Sequence, residues 1–490
     1  MIRTLASAGS AKCGHNSLVI GIVLAGVLFW FPLFVGGLIG YSGSKLIYTL
    51  FSVVFLAMLA SGFYRQVSYG YLFLVVFLWL GFWLKLTVHM IFDYPYGEPI
   101  GSFDGTAAAW DGVLRVAIVA SIGVVVGRLL YGLAGRKSTM LIPEGGLRAP
   151  VWYPVIRKWL WLSVLTATVG LAIVNAVYGI LQIGLVPRTI LLWPLNAAIA
   201  WMVSIGSAMG IATLLWWDIS LRKNISLPVY AILAEALFST ISLLSRGVYI
   251  FHTIPQMLSL YKNRPILVRI SRKKAILIAV AFVGLFVISI SAVTILRNYS
   301  YSNVPLDFNS AKGLISSSQG VGAARFIVDR WIGLEGVMAV QSYPKKGGAI
   351  FLEAMTEKRE IGKVTLYQEV CKSSYRYTDT SKWQFASLPG AAAFLYYSGS
   401  LWVVMLGMVA FALLVLFSEN LIFVLTANPL LCTMYGLTAA NNVAQFGIAP
   451  RQAGPYFFMI FCGILAIWFV QSRLFSGVLQ KLALFRAATA

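Results

Sequence analysis

The chain contains several long runs that are apolar and almost free of charge, the clearest being residues 17–40, 69–92 and 275–296. A helix needs about 20 such residues to cross the roughly 30 Å hydrocarbon layer of a bilayer. Of the 490 residues, 59% are hydrophobic and 11% are charged, whereas a soluble domain carries about 25% charged residues. The sequence therefore predicts an all-α protein that crosses a membrane many times.

Windows of about 20 apolar residues predict about 12 transmembrane helices. Their predicted bounds are residues 17–40, 45–63, 68–92, 112–134, 159–183, 189–217, 226–244, 247–261, 275–296, 391–417, 420–438 and 454–471. Residues 226–261 are divided at the turn 245–247, and this division decides the side on which every later segment lies. An even number of spans places both termini on the same side.

Basic residues mark one side of the predicted topology. The connections that share a side with the termini hold Arg65, Arg136, Lys137, Arg148, Arg157, Lys158, Arg222, Lys223, Lys262, Arg264, Arg269, Arg272, Lys273 and Lys274. Because cytoplasmic connections are enriched in lysine and arginine, both termini are predicted to be cytoplasmic. The same distribution accounts for most of the formal net charge of +22, so anionic lipid is the expected partner and nucleic acid is not.

One long polar segment, residues 297–390, interrupts the series of apolar runs. The predicted topology places it outside the membrane as a single large loop, with short helices near residues 320–341 and 348–370. The chain then divides into N-terminal transmembrane helices (1–296, about nine spans), the loop (297–390), and C-terminal transmembrane helices with a cytoplasmic tail (391–490, about three spans).

Ionisable residues at membrane depth are costly and therefore mark candidate functional positions. Lys85 and His89 lie on the third predicted span and share a helix face near its outer end. Lys85 could instead extend its ammonium to the headgroups, and His252 could be a hydrogen-bonded core histidine. Arg246, in the tight turn 245–247, would present a fixed guanidinium at the outer boundary, and its planar fork of donors suits phosphate oxygens.

A second charged group lies within residues 320–336 of the loop. Arg325 and Asp329 have the i, i+4 spacing of a helical ion pair, and Arg330 lies on the adjoining turn. One interpretation is an ordinary salt-bridged amphipathic helix on the membrane surface. The other is a cationic cradle for a pyrophosphate, with Glu335 available as a base.

The connection before the fourth span combines carboxylates with aromatic rings, in residues 93–98 (Asp-Tyr-Pro-Tyr-Gly-Glu) and 102–104 (Ser-Phe-Asp). Such a composition also occurs where sugars stack, but a solvated turn is the favoured interpretation. The sequence has no phosphate-binding loop, HExxH motif, serine nucleophile elbow or Cys/His metal spacing. Neither a metal nor another cofactor is therefore predicted.

Three passages resemble the Wzy-like oligosaccharide repeat-unit polymerases and O-antigen ligases of bacterial surface-polysaccharide assembly. Residues 243–251 (Leu-Leu-Ser-Arg-Gly-Val-Tyr-Ile-Phe) are similar to the family's Ser-Arg-Gly turn between two spans. The large loop follows at the expected late position, and residues 385–399 resemble the Pro-Gly and Tyr-x-x-Gly pattern that begins the next span. The resemblance covers about residues 225–440 and rests on the order of these features.

The resemblance implies a GT-C-like glycosyltransferase architecture in the bacterial inner (cytoplasmic) membrane, with the large loop in the periplasm. Its implied activity is the joining of undecaprenyl-diphosphate-linked oligosaccharide repeat units by metal-independent glycosyl transfer. Its implied partners are the lipid-linked donor and acceptor and membrane lipids, with a chain-length regulator and a flippase as further candidates.

The loop does not match the paired-arginine spacing of the family, so the roles of individual residues are a hypothesis built on the implied activity. Diphosphate binding falls to Arg246, Arg325 and Arg330. Substrate binding falls to Lys85, Arg297 and His252. The catalytic base is Glu335 or His89.

Other functions fit the same sequence. An O-antigen-ligase type of enzyme differs from the polymerase only in its acceptor. A lipid-linked oligosaccharide flippase or other secondary transporter would use intramembrane charges along a path through the bundle, although the long polar loop argues against it. A structural scaffold for polysaccharide assembly would leave the arginines dispensable.

Overall fold

The structure is a computed structural model that describes residues 28–64, 68–93, 95–135, 139–140, 149–223, 225–263, 271–302, 328–447 and 450–472, together with residues 26, 475 and 477. Within these ranges the chain is helical, and one isolated β-bridge pairs Leu185 with Trp383. Eight of the described helices are long and apolar enough to cross a membrane. The prediction of an all-α, multi-pass membrane protein is confirmed.

The longer helices are α1 (Leu28–Gly40), α2 (Lys45–Phe63), α3 (Tyr69–Phe92), α4 (Ala107–Leu133), α5 (Tyr153–Tyr178), α6 (Leu195–Ser220), α7 (Ser226–Ser242), α8 (Val248–Lys262) and α9 (Arg272–Ser302). The loop contains α10 (Leu334–Gln341), α11 (Gly348–Thr356) and α12 (Leu366–Val370). The chain ends with α13 (Ala391–Tyr396), α14 (Leu401–Thr426), α15 (Pro429–Ala444) and α16 (Pro450–Gln471). Two of the long helices contain a π-helical turn, Trp79–Leu84 in α3 and Met202–Gly206 in α6.

Several connections meet on one side of the bundle, which we call the loop face because residues 328–400 lie there. The turn before α2 reaches the start of α4, where Asp111 accepts hydrogen bonds from the Tyr41 hydroxyl and the Ser44 amide. The α5–α6 connection joins the loop through backbone hydrogen bonds between residues 184–186 and 382–384. These contacts are those expected if successive helices run in alternate directions.

The bundle is held together where small residues let helix backbones approach closely. A Cβ placed on Gly123 of α4 would lie 2.6 Å from the Met405 carbonyl oxygen of α14. At the crossing of α3 and α15, a Cβ on Gly436 would lie 2.6 Å from the backbone nitrogen of Gly70. Lipid tails are as apolar as the side chains, so helix association in a membrane depends on such close packing.

The outer helices expose the apolar surface that a lipid environment requires. Ile276 and Val280 of α9 and Val155 of α5 are exposed aliphatic residues. Trp193 and Trp402, at the loop face, and Trp159, toward the opposite face, are exposed aromatic residues. Tryptophan concentrates at both membrane–water boundaries, so this distribution is typical of a membrane-spanning bundle.

The predicted break between residues 417 and 420 is wrong. Helix α14 runs unbroken from Leu401 to Thr426, and the chain reverses at Ala427, which has a φ of 47°. The polar residues that suggested a break include Glu419, which is buried within the bundle. Its Oε2 accepts hydrogen bonds from the Ser68 hydroxyl at 2.7 Å and from the Gly70 amide at 2.6 Å, so the carboxylate is satisfied without a turn.

The predicted loop helices are only partly correct. In the described part of residues 320–341, the main helix begins at Leu334, because Gly333 has a φ of 153° that interrupts regular helix. The predicted helix 348–370 is divided into α11 and α12 by residues 357–365. Residues 17–25 of the first predicted span and Arg325 lie outside the described residues.

Candidate functional site

Five ionisable side chains meet at the loop-face end of α3, and we call them the ionic cluster: Lys85, His89, Glu98, Asp329 and Glu335. The Lys85 Nζ lies 2.6 Å from Glu335 Oε1 and also donates to the Asp329 carbonyl oxygen at 3.2 Å. The His89 Nε2 lies 2.8 Å from Asp329 Oδ1. The predicted shared face of Lys85 and His89 therefore contacts one short segment of the loop.

Two glycines allow that loop segment to pack closely against the neighbouring backbone. Gly81 lies in the π-helical turn just before Lys85, and a Cβ there would lie 2.2 Å from the Ile332 carbonyl oxygen. On the other side, a Cβ on Gly336 would lie 1.8 Å from the Pro389 carbonyl oxygen. The segment is thus enclosed between α3 and residues 385–390. π-Helical turns are frequent at functional sites, and this one lies directly beside the ionic cluster.

Lys85 and Glu335 are enclosed by protein, with 0% and 2% of their surface exposed. Burial raises the pKa of the Glu335 carboxyl, and the neighbouring Lys85 ammonium opposes that shift. His89 is 4% exposed, and its ring stacks on Tyr96 with 4.0 Å between centroids. These three side chains hold the loop segment in place, and their polar atoms face protein partners.

Glu98 is a half-buried carboxyl of the cluster, in the connection between α3 and α4. Asp329 is half-buried as well, but its carboxylate is engaged by His89. Burial and then the charge of Glu335 raise the pKa of Glu98 to about 7, while Lys85 and a hydrogen bond with Ser387 oppose the shift. A reachable carboxyl that is partly ionised at neutral pH is suited to accept a proton.

The backbone around Glu98 is fixed by the loop. Gly97 packs against Asp329, since a Cβ on that glycine would lie 3.0 Å from Asp329 Oδ2. The Gly101 amide donates a 3.0 Å hydrogen bond to the Cys371 carbonyl oxygen. The favoured interpretation of this connection as a solvated turn missed Glu98, and its only sequence signal was the mixture of carboxylates and aromatic rings.

Three arginines lie at the loop face, in the turn between α7 and α8, near the end of α9 and in the loop segment, and we call Arg246, Arg297 and Arg330 the arginine group. The Arg297 Nε donates a 2.7 Å hydrogen bond to the carbonyl oxygen of Leu244, in the same turn as Arg246. Arg330 is exposed, and local desolvation and then the charge of Arg297 lower its pKa. Arg330 also follows Asp329 directly in the chain, so this member of the group borders the cluster.

His252 lies in a different environment, inside the bundle. Its Nδ1 is 3.0 Å from Glu235 Oε1, and its Nε2 is 2.9 Å from the Ser204 carbonyl oxygen, which belongs to the π-helical turn of α6. Glu235 also accepts a hydrogen bond from the Ser239 hydroxyl at 2.8 Å. Both ring nitrogens of His252 are engaged, and this geometry favours the core-histidine interpretation over direct substrate binding.

Among the residues that the structure describes, no group of three or more histidine, cysteine, aspartate or glutamate side chains is arranged to hold a metal ion. No family model, curated protein or solved structure matches the chain. The function must therefore be inferred from the side chains of the ionic cluster and the arginine group.

Proposed function

We propose that the protein is a membrane glycosyltransferase that joins undecaprenyl-diphosphate-linked oligosaccharide units at the loop face. One observation carries the proposal: Arg330 of the arginine group directly follows Asp329 of an ionic cluster that also contains Glu98, a half-buried carboxyl with a pKa of about 7. This pairing combines cations for a diphosphate with a base for an acceptor hydroxyl. The resemblance of residues 243–251 and 385–399 to Wzy-like polymerases favours the same activity.

The arginine group would bind the diphosphate of the donor. Negative charge grows on the leaving diphosphate as its bond to the sugar breaks, and fixed guanidinium groups stabilise that charge without reorganisation. Arginine also donates two parallel hydrogen bonds to phosphate oxygens, which orients the group. Arg246 and Arg297 are half-buried, so part of each side chain is held by protein.

Glu98 would act as the general base, in place of the sequence assignment to Glu335 or His89. Those two side chains are 2% and 4% exposed, which suits them to positioning the loop segment. Glu98 would take the proton of the acceptor hydroxyl as its oxygen attacks the anomeric carbon. The bond from that carbon to the phosphate oxygen breaks, and its electron pair leaves with the lipid diphosphate. A single displacement inverts the anomeric configuration.

We infer a twelve-pass topology with a GT-C-like arrangement. The eight long apolar helices support it, as do the shorter α1, α7, α8 and α15 and the loop-face contacts expected of alternating helices. The opposite side carries basic residues at described helix ends, namely Arg157, Lys158, Arg222, Lys223 and Lys262. This distribution favours a bacterial inner membrane with cytoplasmic termini and a periplasmic loop.

Arg246→Ala in the producing cell tests the proposal. The variant is expected to remain in the membrane, because the substitution lies in a turn at the helix ends, but to make no polymer-length glycan. Arg188→Ala is a matched control, since Arg188 is also at the loop face but donates to the Ala176 and Val177 carbonyl oxygens. Normal polymer from Arg246→Ala would contradict the assignment.

A deletion strain separates polymerase from ligase. Accumulation of single lipid-linked repeat units is expected if the missing protein is a polymerase. Accumulation of long lipid-linked chains would instead indicate a ligase, in which the acceptor is not another repeat unit.

A further inference from the structure

A cleft of about 190 Å³ opens at the loop face, between residues 386–388 of the loop and the turn that joins α15 to α16. Its walls include Arg359, Leu388, Asn442, Gln445, Phe446 and Pro450. An apolar cavity of about 150 Å³ admits a benzene ring, so a cleft of this size can hold one substituted six-membered ring.

The cleft and the ionic cluster share one loop segment, residues 386–388. Ala386 and Leu388 line the cleft, whereas Ser387 between them is buried and lies close enough to Glu98 to lower its pKa. The Ser387 hydroxyl is held by a 2.9 Å hydrogen bond with the Ser373 hydroxyl. A ligand in the cleft would therefore contact the neighbours of a residue that faces the cluster.

Arg359 supplies the charge of the cleft. Its Nη2 donates a 3.0 Å hydrogen bond to the Gln384 carbonyl oxygen, which holds the half-buried guanidinium at the wall. Within the described part of the chain this is the polar contact that the guanidinium makes, and an arginine has five N–H donors. Desolvation lowers the pKa of Arg359, and a cation in such surroundings attracts an anion more strongly than it would in water.

The remaining polar groups of the cleft suit hydroxyls. The Asn442 Nδ2 donates to the Thr438 carbonyl oxygen, and the Gln445 Nε2 donates to Asn441 Oδ1. Each amide therefore keeps its carbonyl oxygen as an acceptor. Phe446, Leu388 and Pro450 add an apolar surface for the C–H face of a ring. A few placed polar groups on an apolar wall are typical of small-molecule sites.

The geometry points to a binding subsite for an acidic sugar residue, with the sugar carboxylate on Arg359 and its hydroxyls on Asn442 and Gln445. This inference rests on the proposed function in that it takes a glycan as the substrate, and it adds that the glycan contains a carboxylate. The planar guanidinium matches a carboxylate through two parallel hydrogen bonds.

Arg359 also lines a second, smaller depression. The other walls of this depression include Tyr375, Trp383 and Phe385, and the last two rings stack with 5.9 Å between centroids. These aromatic rings offer a surface for a neighbouring sugar of the same glycan.

Binding of a defined oligosaccharide tests the subsite directly. The full chain in lipid nanodiscs is titrated, by saturation-transfer NMR, with a tetrasaccharide of alternating glucose and glucuronate and with its carboxyl-reduced neutral form. We expect the acidic form to bind at least about tenfold more tightly, as a charge-assisted bidentate contact provides. Equal binding of the two forms would overturn the inference.

Single substitutions test whether the sugar carboxylate contacts Arg359. Arg359→Gln is expected to remove the preference for the acidic form, whereas Lys358→Gln removes the same charge from an exposed neighbour and is expected to preserve it. Asn442→Ala is expected to weaken both forms alike, and this result remains decisive if Arg359→Gln does not fold. An unchanged preference in folded Arg359→Gln would also overturn the inference.

Failure of the subsite and failure of the proposed function are distinguishable. Oligosaccharide binding is measured without a lipid donor, so it does not depend on transfer. Transfer of neutral glycans without any acidic preference would contradict the subsite alone.

Discussion

Lys85 and Glu335 form a buried ion pair, with 2.6 Å between Nζ and Oε1, although 250 residues separate them in sequence. The pair fastens the start of α10 to the loop-face end of α3. Two opposite charges at 0% and 3% side-chain exposure neutralise each other, and either one alone would be a charge enclosed in protein.

Removing one member of this pair should therefore destabilise the protein strongly. We expect Lys85→Met to lower the free energy of unfolding by about 3–5 kcal/mol, because Glu335 is left buried and unpaired. The double variant Lys85→Met/Glu335→Leu should recover most of that loss. Denaturant titration in detergent measures both. Lys382→Met, which breaks an exposed pair with Asp379, is the control and should have little effect. Equal stability of Lys85→Met and the unaltered protein would contradict the account.

The sequence predicted the parts of this site that depend on local spacing. Lys85 and His89 were placed on one face because they lie four residues apart on a helix. Their partners Asp329 and Glu335 could not be assigned to them, because the contacts span 240 and 250 residues and depend on how the loop folds back. Glu98 was missed for the same reason, since its pKa depends on Glu335 from a distant part of the chain.

The positions of the transmembrane helices were also predictable only in part from the sequence. Apolar runs located five spans within about four residues at both ends, as for α2 at Lys45–Phe63, whereas six others are displaced by about five to ten residues at one end or both. The end of α14 was misplaced because Glu419 looks like a turn residue in sequence, while in the structure Ser68 and two backbone amides satisfy it. A polar residue that is buried with partners from other helices cannot be told from a loop residue by hydropathy alone.

The pH dependence of activity should report Glu98. A general base works in its ionised form, so the rate should rise with pH through about 7, the pKa of Glu98. Glu98→Gln should lower the rate by about 10²–10⁴-fold and remove this ionisation from the profile. Initial rates from pH 5 to pH 9 provide the measurement. Asp104→Asn, an exposed residue of the same connection, should keep the profile, and an unaltered profile in Glu98→Gln would exclude this base.

The stability of the protein should also depend on Glu98, but it should fall with rising pH, whereas the activity rises. The pKa of Glu98 is raised from 4.5 to about 7, so between these values the folded state holds a proton that the unfolded state has released. The contribution is fully present below pH 4.5 and is lost as the pH rises through 7. Melting temperatures measured across this window should fall more steeply in the unaltered protein than in Glu98→Gln. If the melting temperatures of the two proteins changed equally with pH, the raised pKa of Glu98 would be contradicted.

Arg297 should affect binding of the diphosphate. Replacing it with alanine removes a charge next to Arg330 and the hydrogen bond to the Leu244 carbonyl oxygen. We expect Arg297→Ala to bind undecaprenyl diphosphate about tenfold or more weakly, and Arg297→Lys to recover only part of the loss because lysine lacks the planar fork. Calorimetry in nanodiscs measures this, with Arg188→Ala as control. Unchanged affinity in Arg297→Ala would remove it from the binding group.

Close packing of α4 on α14 provides a test of the fold. In a helix, alanine in place of glycine is favourable by about 1 kcal/mol when there is room for the methyl group. Gly170→Ala meets open space and should preserve or raise the melting temperature. Gly123→Ala would place its Cβ 2.6 Å from the Met405 carbonyl oxygen and should lower it. Equal effects of the two substitutions would show that the two helices are not in close contact there.

Reconstituted transfer tests the central proposal most directly. The purified protein in nanodiscs is supplied with a synthetic undecaprenyl-diphosphate-linked oligosaccharide, and elongated lipid-linked glycan is quantified together with free undecaprenyl diphosphate. The proposal predicts one undecaprenyl diphosphate released for each new linkage, without added metal, a rate lowered by about 10²–10⁴-fold in Glu98→Gln, and no product from Arg246→Ala. An unchanged oligosaccharide pool with the unaltered protein, alongside movement of that oligosaccharide across proteoliposome membranes, would contradict glycosyl transfer and establish a transporter instead.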